Sequence, residues 1–267
     1  MINSIRLYLR YIGVSIRSQM QYKASFAMST VGGFISNLLE FVAVMALFAR
    51  FGSLKGWTLP EAALLYGIVS VSFALAEAAA RGFDIFPDMV KSGDFDRLLV
   101  RPRSTVLQLL GQDFQLMRFG RLAQGLMVLL WAAWKLGDIW TPAKALLVVS
   151  SVVGGTCMFA GLFVIQATLA FWTVESLEVM NTVTYGGVET AQYPLSIYAP
   201  WFRRFFTFIV PLACINFFPS MAILGRAHAY GIPTLACWLA PLVGALFLLG
   251  TLQAWKIGVR HYRSTGS

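Results

Sequence analysis

The sequence has few of the side chains that catalyse reactions, and their spacing does not bring them together. Its two histidines, His228 and His261, each stand alone near the end of an apolar stretch. A membrane-embedded enzyme needs clustered His, Asp, Glu or Cys, yet the chain has neither an HExxH motif nor a pair of acids at membrane depth. We therefore predict no catalytic residue and no metal site.

Polar side chains inside otherwise apolar stretches could instead serve transport. One face of residues 25–49 carries small and polar residues at helical spacing, namely Gly33, Ser36, Asn37, Glu40 and Ala43. A carboxylate at membrane depth is costly unless protein or water surrounds it. Glu40 is therefore either a group that faces a pore or substrate, or a hydrogen-bonded structural residue, and the sequence does not choose between them.

Glu77 is a second acid of this kind. It lies four residues before Arg81, near the end of the apolar stretch 60–80. This spacing favours an ion pair on one helix, and the alternative is a relay into the charged residues that follow. Asn37, Glu40 and Glu77 are thus the candidate residues of a pore or substrate path.

The most highly charged part of the chain is residues 81–121, called the charged segment below. It contains seven basic and five acidic residues, whereas the sequence on both sides is almost entirely apolar. A charged block between hydrophobic spans must leave the bilayer, and its excess of Lys and Arg predicts a cytoplasmic location. We interpret it as the segment on which a soluble partner acts; a plain solvated loop is the alternative.

Two short helices are predicted within the charged segment. The first covers residues 84–90, despite Pro87 near its middle, and Ser92-Gly93 separates it from the second. Asp94 can cap the second helix, which ends before Pro102. The apolar face of the first helix would contain Phe83, Phe86, Met89 and Val90.

The composition indicates a polytopic membrane protein. The 267 residues are 58% hydrophobic and 12% charged, with a mean hydropathy of +0.69, whereas about one quarter of a soluble domain is charged. The net charge of +9 comes from residues that flank apolar stretches, so the positive-inside rule explains it without nucleic-acid binding. Cys157, Cys214 and Cys237 lack CxxC spacing and are predicted to be buried and unpaired.

We predict a single all-α membrane domain over residues 1–267 with six transmembrane helices. Residues 1–23 form an amphipathic helix on the cytoplasmic face, with an apolar stripe of Ile5, Leu9, Ile12, Ile16 and Met20 and with Arg6, Arg10 and Arg17 off that stripe. Basic residues after the last span place the C-terminus inside as well. The well-defined spans are residues 25–49, 60–80, 119–136, 143–172 and 234–255.

Residues 173–224 allow two interpretations. In the first, residues 173–204 are a cytoplasmic loop and residues 205–224 are the fifth span. In the second, the polar residues 173–192 form a fifth span lined by protein, and the stretch broken by Pro211 and Pro219 re-enters the membrane from outside. Broken backbone is tolerated at membrane depth only where protein or water surrounds it. Hydropathy favours the first interpretation.

Two motifs resemble those of a known family. SGDFDRLLVRPRS and YPLSIYAPWFRRFFTFIVPLACINFFPSMAILGR are similar to conserved segments of ABC-2 transporter permeases, and closest to a branch of roughly 260-residue proteins. The order of elements also agrees over nearly the whole chain. The resemblance favours the re-entrant interpretation of the proline-rich stretch.

The resemblance also implies that residues 84–103 form a coupling helix that sits on an ATP-binding-cassette ATPase. The chain has no GxxxxGK[ST] motif and so cannot form a P-loop, which leaves ATP and Mg²⁺ to a partner ATPase. Six spans are half of such a permease, so a second permease chain, identical or different, is implied. We expect Phe83, Phe86 and Met89 to insert into a groove on the ATPase. The remaining candidate coupling residues are Asp84, Asp94, Asp96, Arg97 and Arg101.

The leading hypothesis is therefore the permease subunit of an ABC exporter in the bacterial inner membrane, with both termini in the cytoplasm. Its substrate would be amphipathic or hydrophobic, because the spans are rich in aromatic residues and poor in acids. A secondary transporter or channel is one alternative, in which Glu40 would couple ions, although no inverted repeat is evident. A membrane-embedded enzyme is the other.

Overall fold

The computed structural model describes residues 2–112, 118–173 and 177–262. Within these ranges the chain is helical and contains no strand, as predicted. Helices up to the end of the charged segment are α1 (Ile2–Gln19), α2 (Lys23–Phe51), α3 (Leu59–Asp84), α4 (Phe86–Ser92), α5 (Phe95–Leu99) and α6 (Thr105–Leu110). Those that follow are α7 (Phe119–Leu136), α8 (Pro142–Leu169), α9 (Leu177–Ala191), α10 (Pro200–Arg204), α11 (Phe217–Ile223), α12 (Thr234–Leu239) and α13 (Leu242–His261).

The predicted N-terminal helix is present as α1, and a 3₁₀ turn at Met20–Tyr22 separates it from α2. Arg6, Arg10 and Arg17 are exposed, as the amphipathic pattern requires. The side chains of Ile5 and Leu9 lie outside the described residues. Ile12 and Ile16 of the predicted apolar stripe are partly buried, whereas Met20 lies in the 3₁₀ turn and is exposed.

Among the described residues, four helical stretches are long and apolar enough to cross a bilayer: Arg10–Phe51, Leu59–Ser92, Pro142–Leu169 and Leu242–His261. A fifth would be the pair Pro200–Ile209 and Leu212–Ile223, which is bent by 77°. Helix α7 is less apolar because it carries Arg121, Gln124 and Lys135, and α9 has only 15 residues. The sequence-based count of six spans thus stays a prediction.

Helix α3 forms the centre of the bundle and packs against α7, α8 and α9, and the Tyr66 hydroxyl joins it to α2. Its start is fixed by a capping box, in which the Thr58 amide donates to Glu61 Oε2 at 2.8 Å. Gly67 faces the backbone of Leu129 on α7, and Gly155 of α8 faces Ser72. Small residues at these crossings let the helix axes approach closely.

Helices α8 and α13 run side by side in the same direction. Gly154 contacts Gly244 near the start of α13, Gly161 contacts Phe247, and Gly258 near the end of α13 contacts Phe171 just beyond α8. A Cβ atom at any of these glycines would clash with the neighbouring helix. The glycines therefore set both the distance and the register of this pair.

Residues 195–226 begin and end at the same end of the bundle. At the start, Lys55 Nζ donates to the Ile197 carbonyl at 3.2 Å and Trp57 Nε1 donates to Ser196 Oγ at 2.9 Å. At the end, Arg226 donates to the Gly56 carbonyl at 3.1 Å and pairs with Glu61, in the first turn of α3, at 2.7 Å. Both sets of contacts involve the α2–α3 connection, so we call this side the loop end. Both ends of the segment therefore lie at the loop end.

The polar residues before that segment form α9, rather than the loop of the first interpretation. Tyr185 of α9 lies near Asp84, at the end of α3 that leads into the charged segment, whereas the Ala191 carbonyl accepts a hydrogen bond from Asn216 in the loop-end segment. Helix α9 thus runs from the opposite side, here called the segment end, to the loop end.

Candidate functional site

In the described part of the charged segment, three short helices, α4, α5 and α6, form at the segment end. A kink at Ala80, whose φ is −114°, turns the last residues of α3 out of the helix direction. Pro87 lies in the first turn of α4 and not in its middle, so its missing N–H costs no helical bond. Gly93, at φ 75°, ends α4 in the left-handed conformation.

Asp94 does not cap α5 through its side chain as predicted. Its carboxylate instead accepts a hydrogen bond from Ser92 Oγ at 2.8 Å and pairs with Arg97 at 3.3 Å. Helix α5 ends at Leu99, before Pro102, in agreement with the prediction. Asp113, the last acid of the charged segment, lies outside the described residues.

A group of aromatic rings joins the charged segment to the transmembrane helices. Phe86 is fully buried, and its ring centroid lies 4.8 Å from that of Phe95, 4.9 Å from that of Trp255 and 5.2 Å from that of Phe171. Edge-to-face rings at such distances contribute beyond their buried area. This aromatic cluster comprises Phe83, Phe86, Phe95, Phe171, Trp255 and Tyr262.

The prediction that Phe86 inserts into a groove on a partner is therefore wrong. Its ring has 0% exposure because α8 and α13 already provide the apolar pocket that it needs. Phe83 is buried in the same cluster, and Met89 is buried beside a groove described below. The apolar face of α4 was identified correctly, but it points into this chain.

The exposed surface of the charged segment is formed by other residues. Val100 has 83% exposure, and Leu99 beside it is also exposed. Arg97 and Arg101 flank this apolar pair and are exposed as well. An apolar centre with a charged rim is the usual composition of a docking surface. We call Arg97, Leu99, Val100 and Arg101 the exposed rim.

A groove of about 700 Å³ separates the exposed rim from α1. Tyr11 of α1 covers Gly111, which closes one side of it. Arg97 and Gln108 line the opposite side, and the Gln108 amide donates to the Leu98 carbonyl at 3.1 Å. The groove brings the N-terminal helix and the charged segment into one surface.

Asp84, predicted as a coupling residue, is almost buried inside the bundle. It forms an ion pair with Arg81. Its carboxylate also accepts hydrogen bonds from Gln166 at 3.0 Å and from the Tyr185 hydroxyl at 3.4 Å. These contacts tie α3 to α8 and α9. Asp84 can therefore act on a partner only through these helices.

Asp96 lies on the inner side of α5, near the Tyr262 hydroxyl that follows α13. Burial and the neighbouring Asp96 carboxylate raise the pKa of Tyr262. Tyr262 therefore stays neutral near pH 7. Asp96 thus faces the C-terminal end of α13 and, unlike Arg97, is not part of the exposed rim.

Glu77 lies at the centre of a buried ion network. Its two oxygens contact Arg118, just before α7, and Arg121 of α7, each at 3.3 Å, and its side chain has 0% exposure. Arg121 Nε also donates to Asn37 Oδ1 at 2.6 Å, and the Tyr66 hydroxyl donates to the Asn37 carbonyl at 3.2 Å. The network joins α2, α3 and α7.

The expected i,i+4 pair between Glu77 and Arg81 is not formed, because each residue has a different partner. Asn37 is buried within the ion network. Glu40 is exposed on the surface of the bundle and lies close enough to Glu189 of α9 to interact with it electrostatically. The three predicted path residues therefore do not share one face.

Several site residues were not found from the sequence. Arg118 and Arg121 were counted only as part of the charged segment, and Trp255 only as the end of a span. Arg121 and Gln124, three residues apart in an otherwise apolar helix, were the available signal for a buried polar layer on α7. Nothing local to Phe171 or Trp255 indicates the aromatic cluster.

In the described residues, no group of three or more His, Cys, Asp or Glu side chains could hold a metal ion. Cys157, Cys214 and Cys237 are free. Cys237 is buried as predicted, whereas the other two are partly exposed. The polar chemistry of the described site is thus that of ion pairs and hydrogen bonds between helices.

The apolar helices and the charged segment at one end define a membrane-embedded protein. A family model described as an ABC-2 family transporter protein matches residues 34–266. The chain therefore belongs to the ABC-2 family of membrane transport subunits, which work with an ATP-binding-cassette ATPase. The resemblance of the two sequence motifs is thereby confirmed. Neither the curated proteins nor the solved structures contained a match.

Proposed function

We propose that this chain is the permease subunit of an ATP-driven exporter and that a separate ATPase acts on the charged segment. The observation that supports this most strongly is the aromatic cluster, which fixes α4 and α5 to α8 and α13. Motion applied to the exposed rim would pass through packed rings to the transmembrane helices. Closure of the ATPases would then shift the helices between two arrangements and alternate access to a central path.

The coupling role is divided among the candidate residues. Arg97 and Arg101 contact the ATPase around Leu99 and Val100, and ATP and Mg²⁺ are held by the ATPase. Phe86, Met89 and Asp96 hold the segment in place, and Asp84 passes its movement to α8 and α9. This division follows the exposure of each side chain.

The proposed topology has six crossings, made by α2, α3, α7, α8, α9 and the α12–α13 pair. Residues 200–223 re-enter from the loop end, in keeping with the contacts that both ends of this segment make with the α2–α3 connection. Polar groups on α7 are tolerable at membrane depth because Arg121 and Gln124 face protein. Residues 1–267 then form one domain.

The Lys and Arg excess of the charged segment supports a cytoplasmic segment end. With six crossings, the N-terminus and the C-terminus lie on that same side, and α1 lies along the cytoplasmic face. The membrane would be the inner membrane of a bacterium. The loop end, including residues 52–58, then faces outside.

Cysteine labelling tests this topology. In a background without Cys157, Cys214 and Cys237, a cysteine replacing exposed Ser53 should react with a membrane-impermeant maleimide in intact cells. A cysteine replacing exposed Ser92 should react only after the cells are opened. Labelling of the Ser92 variant from outside would contradict the proposed orientation.

A second permease chain, identical or different, would cover the surface that carries Glu40 and Glu189. Both acids are exposed on the bundle, and a charge that faces lipid near mid-membrane costs about 2.5–3.5 kcal/mol. A partner helix or a water-filled path removes this cost. We place the substrate path at this surface, with Glu40 on it and with Asn37 and Glu77 behind it. An amphipathic or hydrophobic substrate suits the few charges there.

The exposed rim is tested by the Leu99→Asp, Val100→Asp double variant. It should lose most of the ATPase that co-purifies, since an apolar anchor at an interface contributes about 2 kcal/mol or more. Arg97→Ala, the matched change on the rim, should cost about 0–1 kcal/mol and depend on salt. If the double variant, at normal protein levels, co-purified as much ATPase as the wild type does, the ATPase would dock elsewhere.

A further inference from the structure

A pocket of about 290 Å³ at the loop end contains two arginines and no acidic residue among the side chains that line it. Arg203 and Arg204 end α10, and both are exposed. In the described part of the chain, neither forms an ion pair. The other lining residues that matter here are Thr207, Phe208, Phe218 and Tyr230.

The local backbone holds both arginines at the surface. Pro200 starts α10, and a π turn at Phe205–Ile209 follows it, closed by the bond from the Val210 amide to the Phe205 carbonyl at 3.1 Å. Phe206 points inward and is buried. A wide turn of this kind is uncommon and often occurs at functional sites.

The rim of the pocket is apolar and exposed. Phe208 has 79% exposure, and Trp201 and Ile209 are also exposed. Arginine beside exposed aromatic and aliphatic side chains is typical of a surface that contacts lipid at the edge of the bilayer. The positive-inside trend disfavours unpaired cations such as Arg203 and Arg204 on the outer side. An anionic partner would compensate their charge.

We propose that this pocket binds the anionic headgroup of a membrane phospholipid at the loop end. Two guanidinium groups can hold one phosphate through paired N–H donors. The acyl chains would lie along Phe208 and Ile209. The proposal goes beyond the permease role and does not depend on ATPase coupling, although the proposed topology places the site on the outer face.

Tryptophan quenching can detect the lipid directly, because Trp201 is exposed and two residues from Arg203. The purified complex would be placed in phosphatidylcholine nanodiscs that contain either brominated phosphatidylglycerol or brominated phosphatidylcholine at equal fractions. Emission from Trp201 is obtained as the difference between wild type and Trp201→Phe. Brominated phosphatidylglycerol should occupy the site with roughly tenfold preference, as expected from two arginines near an anionic headgroup.

Three variants make the test specific. The Arg203→Gln, Arg204→Gln double variant should lose the preference, so that the two brominated lipids quench Trp201 equally. The corresponding double Lys variant should retain part of the preference, since its charge remains without the planar guanidinium fork. Lys135→Gln, which removes a cation that stacks on Trp134 and does not line the pocket, should retain the full preference. Excess soluble glycerol phosphate should not compete.

Four results would overturn the proposal. Equal quenching by the two lipids would show no headgroup selectivity, and a preference that survives in the double Gln variant would place it elsewhere. Competition by glycerol phosphate would indicate a site for a soluble anion. Absence of quenching by either lipid in the assembled complex would show that a protein covers the pocket.

Discussion

Phe86→Ala is expected to lower the free energy of unfolding by about 3–5 kcal/mol, as for other fully buried aromatic residues. Phe86 lies in the most highly charged part of the chain, where surface substitutions are normally cheap. The reason for the large cost is the aromatic cluster, in which Phe95, Phe171 and Trp255 surround the ring. Its removal leaves a cavity that the neighbouring rings cannot fill.

Thermal unfolding in detergent, followed by the protein that stays monodisperse, measures this effect. Val100→Ala is the matched control on the same segment and should change stability by less than about 0.5 kcal/mol, because Val100 is exposed. If Phe86→Ala kept wild-type stability but lost the ATPase, Phe86 would contact the partner after all, and the burial described above would be wrong.

Glu77→Ala is expected to be about as damaging, with a cost of about 3–5 kcal/mol. The substitution leaves Arg118 and Arg121 without their shared carboxylate inside the bundle. Removal of one partner of a buried ion pair is costly because the remaining charge has lost both its solvent and its counterion. The helices α3 and α7 should therefore separate more easily.

The Glu77→Gln, Arg121→Gln double variant distinguishes this explanation from a simple loss of packing. It removes one charge of each sign and should recover a large part of the stability that Glu77→Ala loses. Asp88→Asn breaks an exposed pair with Lys91 and should cost about 0–1 kcal/mol. A double variant less stable than Glu77→Ala would contradict the proposed role of the ion pair.

The position of the charged segment could be predicted from the sequence, but the direction of its apolar face could not. A short helix with Phe83 and Phe86 on one side can pack on its own chain or on a partner, and the pattern is the same for both. Phe171 and Trp255 form the pocket that holds this face on its own chain, and both are far from Phe86 in the sequence. Exposure of Val100, in contrast, fits the charged residues around it.

The ion pairs of Glu77 and Arg81 also could not be predicted from local sequence patterns. Glu77 and Arg81 have the spacing of a helical pair, yet Glu77 pairs with Arg121, 44 residues away. Local spacing shows which side chains can meet on one helix and says nothing about a neighbouring helix that offers a better partner. Asn37 was predicted as a path residue, and its contact with Arg121 in the ion network depends on how α2 and α7 pack.

The proline-rich stretch shows a limit of hydropathy as a guide to topology. Residues 205–224 are apolar enough for a span, and only Pro211 and Pro219 indicate a break. The contacts of Ser196 and Arg226 with the α2–α3 connection place both ends on one side. Hydropathy measures the preference of a segment for lipid, which a buried re-entrant pair and a crossing helix share.

Site-directed cross-linking tests the central claim most directly, namely that the exposed rim docks on the ATPase. Val100→Cys, in a background without Cys157, Cys214 and Cys237, would be co-expressed with the ATPase and treated with a short bifunctional maleimide. We predict a cross-linked permease–ATPase product from position 100 and none from the control cysteine at Ser53, at the loop end. An ATPase that co-purifies yet cross-links to neither position would contradict the claim.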